Sequence, residues 1–319
     1  MTYIGNDIER AVSLLENDQV IGIPTETVYG LAGNALNPSV ITKIYEVKKR
    51  PLTNPLIIHL SDVTQLHKYV KNIPAIAEKL AEHFWPGPLT LLLPKRDVIP
   101  DIVTSGFPNV AVRIPSHPLA IQLLRKLSFP LAAPSANPFG YISPTSAEDV
   151  KRILFGKIDY ILDGGLCSKG IESTIVGFEG ETPIIYRLGA ISPEAIKKIA
   201  GKVEINNKHN AKPISPGMHP FHYAPNTSFY LTDNMEVMLK TFPRTGTGIL
   251  AFKNLSPLIP LENQDILSTS GSLDEAAHNL YKALHRLDSL KLDRIIAERV
   301  PNNGIGIAIN DRLERASAK

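Results

Sequence analysis

Between residues 20 and 190, short apolar runs of strand length alternate with stretches that open on helix caps, and this alternation restricts the chain most. The runs are Val20–Ile23, Leu56–Leu60, Leu89–Leu93, Val110–Ile114, Tyr160–Leu162, Thr174–Phe178 and Pro183–Tyr186. Among them, Asn37-Pro38 and Ser192-Pro193 each pair an N-cap with a proline at the first helical position. Asn6 with Glu9 reads as a capping box before Ile8, Ala11, Val12 and Leu15. Strands interleaved with amphipathic helices predict an α/β sheet domain. From residue 228 the pattern repeats on a smaller scale. Phe229–Leu231, Gly248–Phe252 and Arg294–Ala297 read as strands. Ser272 with Glu275 opens a helix, and another follows Gly306. The aperiodic stretch between, 208–227, carries four prolines and a glycine. The expected layout is therefore a catalytic domain over 1–207, a Pro-rich linker or lid over 208–227 and a small Rossmann-like domain over 228–319.

Of the 319 residues, 43% are hydrophobic and 20% charged, which supports a sizeable core. One cysteine, Cys167, excludes an internal disulfide or a cysteine zinc site and reads as a small buried residue. The N-terminus lacks a secretory pattern and no apolar run is long enough to span a bilayer, so a cytoplasmic protein with no membrane partner is expected. The net charge is +3. Residues 226–319 hold 11 basic and 11 acidic residues, so the whole excess lies in the first 225. That is too little for duplex nucleic-acid binding by bulk charge, but it permits a local basic pocket.

No Walker A, HExxH, GxSxG or GxGxxG pattern is present, so chemistry must come from less general features. Thr25 and Thr27 follow the first strand, where α/β sheets bind ligands, and they also suit a polar turn. Lys48, Lys49 and Arg50 end a helix. They read equally as complements to its negative end and as a phosphate clamp stiffened by the loop through Asn54-Pro55. His59 reads first as a strand histidine. Arg113 stands inside Val110–Ile114, where a charge needs an anion: a structural carboxylate or, preferred here, a substrate. Ala133, Ser135 and Asn137 form a small-residue turn followed by Ser143. Asp163-Gly164-Gly165 leads to Ser173-Thr174, and Arg187 ends the strand Pro183–Tyr186. His219 and His222 have metal-like spacing without a third ligand, so no protein metal site is expected.

In order, PTETVYGL, KxRP before a strand histidine, WPGPLTLLL, VAVRIP, APSAN, DGG before STIV, and a strand ending in RLG resemble the YrdC-type L-threonylcarbamoyladenylate synthases. The downstream PGMHPFHYAP and small α/β domain resemble the long, two-domain form. The resemblance implies an open twisted sheet with a deep, basic concave pocket. It implies a nucleotidyltransferase that makes threonylcarbamoyl-AMP and pyrophosphate from L-threonine, bicarbonate or CO2, and ATP with Mg²⁺. The product goes to a separate tRNA threonylcarbamoyl transferase, and the basic concavity leaves room for a weak tRNA contact. Carried over by position, Thr27, His59, Arg113, Ala133 and Ser173 hold threonine, Arg113 by pairing the threonine carboxylate and Ala133 through its backbone. Arg50, Asn54, Asn109, Ser135, Ser143, Arg187 and Tyr223 hold ATP. Lys48 and Arg50 act as catalytic cations. Asn109 stands where a hydroxyl residue is expected, which points to a backbone contact. The linker Met218-His219-Pro220-Phe221 is less basic than the family pattern. Two alternatives share the domain type. One is an RNA-binding module, which the modest charge disfavours. The other is a carbamoyl-transfer maturation factor, which a single cysteine and the chain length disfavour.

Overall fold

The computed structural model describes residues 1–206 and 222–318. Eleven strands form one mixed sheet: β1 (Tyr3–Gly5), β2 (Ile21–Ile23), β3 (Gly30–Asn34), β4 (Ile57–His59), β5 (Leu89–Pro94), β6 (Asn109–Arg113), β7 (Leu131–Ala132), β8 (Tyr160–Leu162), β9 (Thr174–Glu179), β10 (Thr182–Arg187) and β11 (Glu204–Ile205). Their order across the sheet is β1-β8-β2-β3-β7-β4-β6-β5-β9-β10-β11. A second sheet holds β12 (Ser228–Thr232), β13 (Thr247–Ala251), β14 (Gln264–Ile266) and β15 (Arg294–Glu298) in the order β12-β15-β13-β14. All three pairings in it are parallel. The α/β expectation is met in both lobes.

Local chemistry explains the helix starts. Asn37 accepts from Ser39 N and Ser192 from Ala195 N, each with proline in the first turn. Ser272 accepts from Glu275 N. The first helix, Ile8–Glu16, starts one residue later than Asn6 suggested: Asp7 is the cap and accepts from Arg10 N. Either short polar side chain can cap, and Asp7 adds a negative charge at the positive helix end.

Residues 207–221, most of the expected linker with His219, lie outside the described residues. The residues that follow are built into the protein body. Ala224 bridges Tyr141, the Thr227 N–H and hydroxyl donate to Asp288, and Tyr223 is buried at 1% exposure. The two lobes share one hydrophobic core. They pack closely at Gly170, where a Cβ would lie 2.5 Å from the Ala277 carbonyl.

Candidate functional site

The strand order β7-β4-β6-β5-β9-β10 gathers the chemistry at one end of the large sheet. Arg113 of β6 is in register with His59 of β4 and Thr90 of β5. Ser173, just before β9, shares a 2.7 Å hydrogen bond with Thr90. Arg187 ends β10, where its Nε and Nη2 donate to the Ser173 carbonyl and Nη2 also to its hydroxyl.

Arg50 reaches the same place through a helix end. Helix Pro38–Lys48 stops in a left-handed turn at Lys49 (φ 52°). The Lys49 N–H bonds Glu46 O, and the Arg50 N–H bonds Tyr45 O. That turn sends the Arg50 guanidinium back into the fold. There it donates to the Asn54 carbonyl (2.9 Å), Asn54 Oδ1 (2.6 Å) and the Pro55 carbonyl (2.8 Å). Thr27, Arg50, His59, Arg113, Ala133, Ser135, Glu172, Ser173, Arg187, His222 and Tyr223 converge on one cavity.

The two sides of this cavity differ in charge. Arg113 is neutralised: Nη2 pairs with Glu26 at 2.6 Å, Nη1 donates to Thr27 Oγ1 and Nε to the Gly87 carbonyl. The anion that Arg113 needs is thus the structural carboxylate Glu26, rather than the substrate preferred from sequence, although the guanidinium still faces the cavity. Arg50 and Arg187 have no carboxylate within ion-pair distance among the described residues, and neither has Lys48. Burial, the largest cause in each case, presses all three cations below their ordinary pKa, Arg50 to about 10. Unneutralised buried charge on this scale is costly and is relieved by an anion.

Four sequence candidates stand off the cavity wall. Lys48 lies beneath it, with Nζ donating to the carbonyls of Ser135 and Asn137, the latter at 2.5 Å. Its place is that of a strut under the Ser135 turn rather than a surface of the clamp. Asn54 is fully buried and holds Arg50. Its Nδ2 is a buried donor with no partner among the described residues. Ser143 donates to Glu172 at 2.7 Å. Asn109 begins β6, four residues or roughly 13 Å along the strand from Arg113. The Ala133 N–H is used by the Ile57 carbonyl, which leaves the Ala133 carbonyl for any ligand contact. Cys167 is buried, and burial raises its thiol pKa, which rules it out as a nucleophile. No group of three or more His, Cys, Asp or Glu with metal-binding geometry occurs among the described residues. No described helix is long and apolar enough to cross a membrane.

Sequence reasoning passed over Glu26, Thr90 and Glu172. The signal for the two glutamates was the one already used for Arg113: a charged residue inside an otherwise unbroken structural motif needs a partner.

His59 is held neutral. Burial first, then the neighbouring Arg113 charge, takes its pKa down to about 3. The unfolded chain therefore binds a proton that the folded chain refuses between about pH 6.5 and 3, so stability is lost as pH falls through that window. Relative to wild type, His59→Gln should flatten the loss of unfolding free energy below pH 6.5 by about 1.4 kcal/mol per pH unit. Denaturant titrations at pH 7.5, 6 and 5 measure it, and parallel slopes for the two proteins would rule it out.

The strand ends of this open α/β sheet carry a pocket lined by threonine, histidine and arginine side chains. The Sua5–YciO–YrdC family pattern, described as "Telomere recombination", matches residues 13–189. The pattern described as "Threonylcarbamoyl-AMP synthase, C-terminal domain" matches 191–318. The chain is 39% identical to a threonylcarbamoyl-AMP synthase of Bacillus subtilis (97% of this chain, 92% of that one). It is 38% identical to that of Pyrococcus abyssi (99% and 98%). The structure of P. abyssi Sua5 complexed with L-threonine superposes with a TM-score of 0.92 at 37% identity, over 99% of this chain and 98% of that one. A full-length HypF, 20% identical, covers 58% of this chain with a TM-score of 0.52 and shares the fold alone. The chain belongs to the Sua5–YciO–YrdC family, in its two-domain form, and its full-length relatives are threonylcarbamoyl-AMP synthases.

Proposed function

We propose that this pocket makes threonylcarbamoyl-AMP from L-threonine, bicarbonate and MgATP, as a nucleotidyltransferase serving tRNA modification. The observation that carries the reading is the unneutralised pair Arg50 and Arg187 beside neutral and already paired polar groups. A polyanion belongs on the first side and a small amino acid on the second.

On the amino-acid side, the free edge of Arg113 meets the threonine carboxylate. The Thr27 and Ser173 hydroxyls and the Ala133 carbonyl take the remaining polar atoms, and neutral His59 adds no competing charge. The threonine amine adds to CO2 drawn from bicarbonate, with loss of water, to give a carbamate. A carbamate oxygen then attacks the α-phosphorus of ATP, and the bond to the β-phosphate oxygen breaks to release pyrophosphate. No protein nucleophile is required. Arg50 and Arg187 meet the charge that builds on the phosphates, with the Asn54 amide and Ser135 beside them. Magnesium comes as part of the nucleotide substrate, which fits a pocket without a metal-binding carboxylate cluster among the described residues. Ser143 acts through Glu172, and Asn109, off the cavity wall at the start of β6, is assigned no contact in this reading.

His222 and Tyr223 line the same cavity, and side chains packed there would help to shield the labile carbamate from water. The finished adenylate passes to a separate tRNA threonylcarbamoyl transferase.

The test is pyrophosphate release from ATP in the presence of bicarbonate and Mg²⁺. Release should appear on adding L-threonine. Release that is absent, or indifferent to threonine, would sink the reading and favour a binding module.

A further inference from the structure

The C-terminal lobe contacts the pocket wall at a carboxylate, Glu172, which lines the cavity. The Tyr281 hydroxyl donates to both its oxygens (3.0 and 2.9 Å), Arg312 Nε donates to Oε2 (3.0 Å) and Ser143 Oγ donates to Oε1 (2.7 Å). Tyr281 stands on helix Leu273–Ser289 and Arg312 on helix Gly306–Ser317, so two of the three donors come from the smaller lobe. Arg312 is 1% exposed. It also donates to the Leu188 carbonyl at 2.7 Å, and its guanidinium lies 4.9 Å from the centre of the Tyr223 ring. Tyr223 in turn stacks on Tyr281 at 5.8 Å.

Glu172 is next in sequence to Ser173, the residue whose carbonyl and hydroxyl seat Arg187. Burial works against the charged form of Glu172, and the charges of Arg312 and then Arg187 outweigh it, so its carboxyl stays below the usual range. The carboxylate thus feels two cations and is bonded to only one. Arg187 is seated on the Ser173 carbonyl and hydroxyl and makes no ion pair with Glu172 among the described residues. Without Arg312 and Tyr281, the other cation that acts on a buried Glu172 is Arg187, and a pair between them would cancel a cation on the phosphate side of the pocket.

We propose that Arg312, assisted by Tyr281, is a positioning residue of the nucleotide pocket: by holding Glu172 it keeps the Arg187 guanidinium free for a phosphate of ATP. The inference rests on the proposed function of the pocket. It gives the C-terminal lobe a direct part in the site, with no substrate contact of its own.

The test is a double-mutant cycle read by threonine-dependent pyrophosphate release. Arg312→Gln should raise the KM for ATP by roughly tenfold or more while leaving that for threonine within about twofold, since the threonine wall is not altered. Asp311 keeps its bonds to Arg315 in this variant. Adding Glu172→Gln removes the charge that must be held, and the double variant should return to within about threefold of the wild-type KM for ATP. A merely structural Arg312 would leave the double variant as impaired as the single one, and that result overturns the proposal, as does an unchanged KM in Arg312→Gln. If Arg312→Gln does not fold, Tyr281→Phe replaces it. It removes two hydrogen bonds to Glu172, keeps the stack on Tyr223 and should raise the KM for ATP several-fold; an unchanged KM again overturns the proposal. Wild-type protein without threonine-dependent release would fault the reading of the pocket instead.

Discussion

Replacing Arg50 with alanine should lower kcat/KM for ATP by at least about 10²-fold, the loss expected when a preorganised charge stabiliser is removed from a site that excludes water. The residue is 8% exposed and has no carboxylate partner among the described residues, so no protein anion cancels its charge. Its geometry is fixed in advance by three acceptors from Asn54 and Pro55. No reorganisation is needed when negative charge shifts onto the α-phosphate and the leaving pyrophosphate. Arg50→Lys separates the two sides of the argument. An ammonium keeps the positive charge but cannot bridge the Asn54 carbonyl, its amide oxygen and the Pro55 carbonyl at once, so lysine should recover only part of the loss. The threonine KM should change much less, because the groups assigned to threonine, Arg113 and Thr27, are bonded to each other and to Glu26 rather than to Arg50. Steady-state pyrophosphate release over separate ATP and threonine series measures all three quantities. A rate for Arg50→Ala near that of wild type would remove Arg50 from the clamp.

The sequence made the central strands and the cation set readable, and the reasons are physical. Leu89–Leu93 and Val110–Ile114 are buried on both faces, and such strands appear as continuous apolar runs. Strands that were not anticipated lack that mark. Gly30–Asn34 contains two glycines and an asparagine, Leu131–Ala132 is two residues long and Glu204–Ile205 is exposed. Each is a strand because its neighbours offer a hydrogen-bonding edge, which no local pattern records. The site divides in the same way. His59, Arg113, Ser173 and Arg187 meet because the strand order makes β4, β6, β5, β9 and β10 adjacent, and Thr27 joins them from the β2–β3 loop through its bond to Arg113. Their types were legible, and their convergence was legible only through the resemblance. Lys48 and Arg50 are two residues apart yet differ in place. One points under the Ser135 turn and the other into the cavity, because the left-handed Lys49 reverses the chain between them. The linkage of Glu172 to Arg312 spans 140 residues and two lobes, beyond the reach of any spacing argument.

Arg113→Ala should have the largest effect on stability, and it tests the division of the pocket into a neutralised and an unneutralised side. The pair with Glu26 is buried, with both side chains at 5% exposure. Removing the arginine leaves the carboxylate uncompensated and strips Thr27 of a donor, which costs about 3–5 kcal/mol. For a chain of this size that corresponds to a fall in Tm on the order of 6–15 °C. Loss of threonine binding is expected as well, and a destabilised protein confuses the two effects. The double variant Arg113→Ala/Glu26→Gln separates them. With the charge on residue 26 removed, most of the stability should return, because the penalty arises from an unpaired anion rather than from the missing side chain. Threonine binding should not return, because nothing replaces the guanidinium edge that faces the cavity. Thermal unfolding and threonine titration calorimetry on both proteins report the two quantities independently. Recovery of threonine binding in the double variant would show that Arg113 serves only Glu26, and the threonine carboxylate would then need another partner.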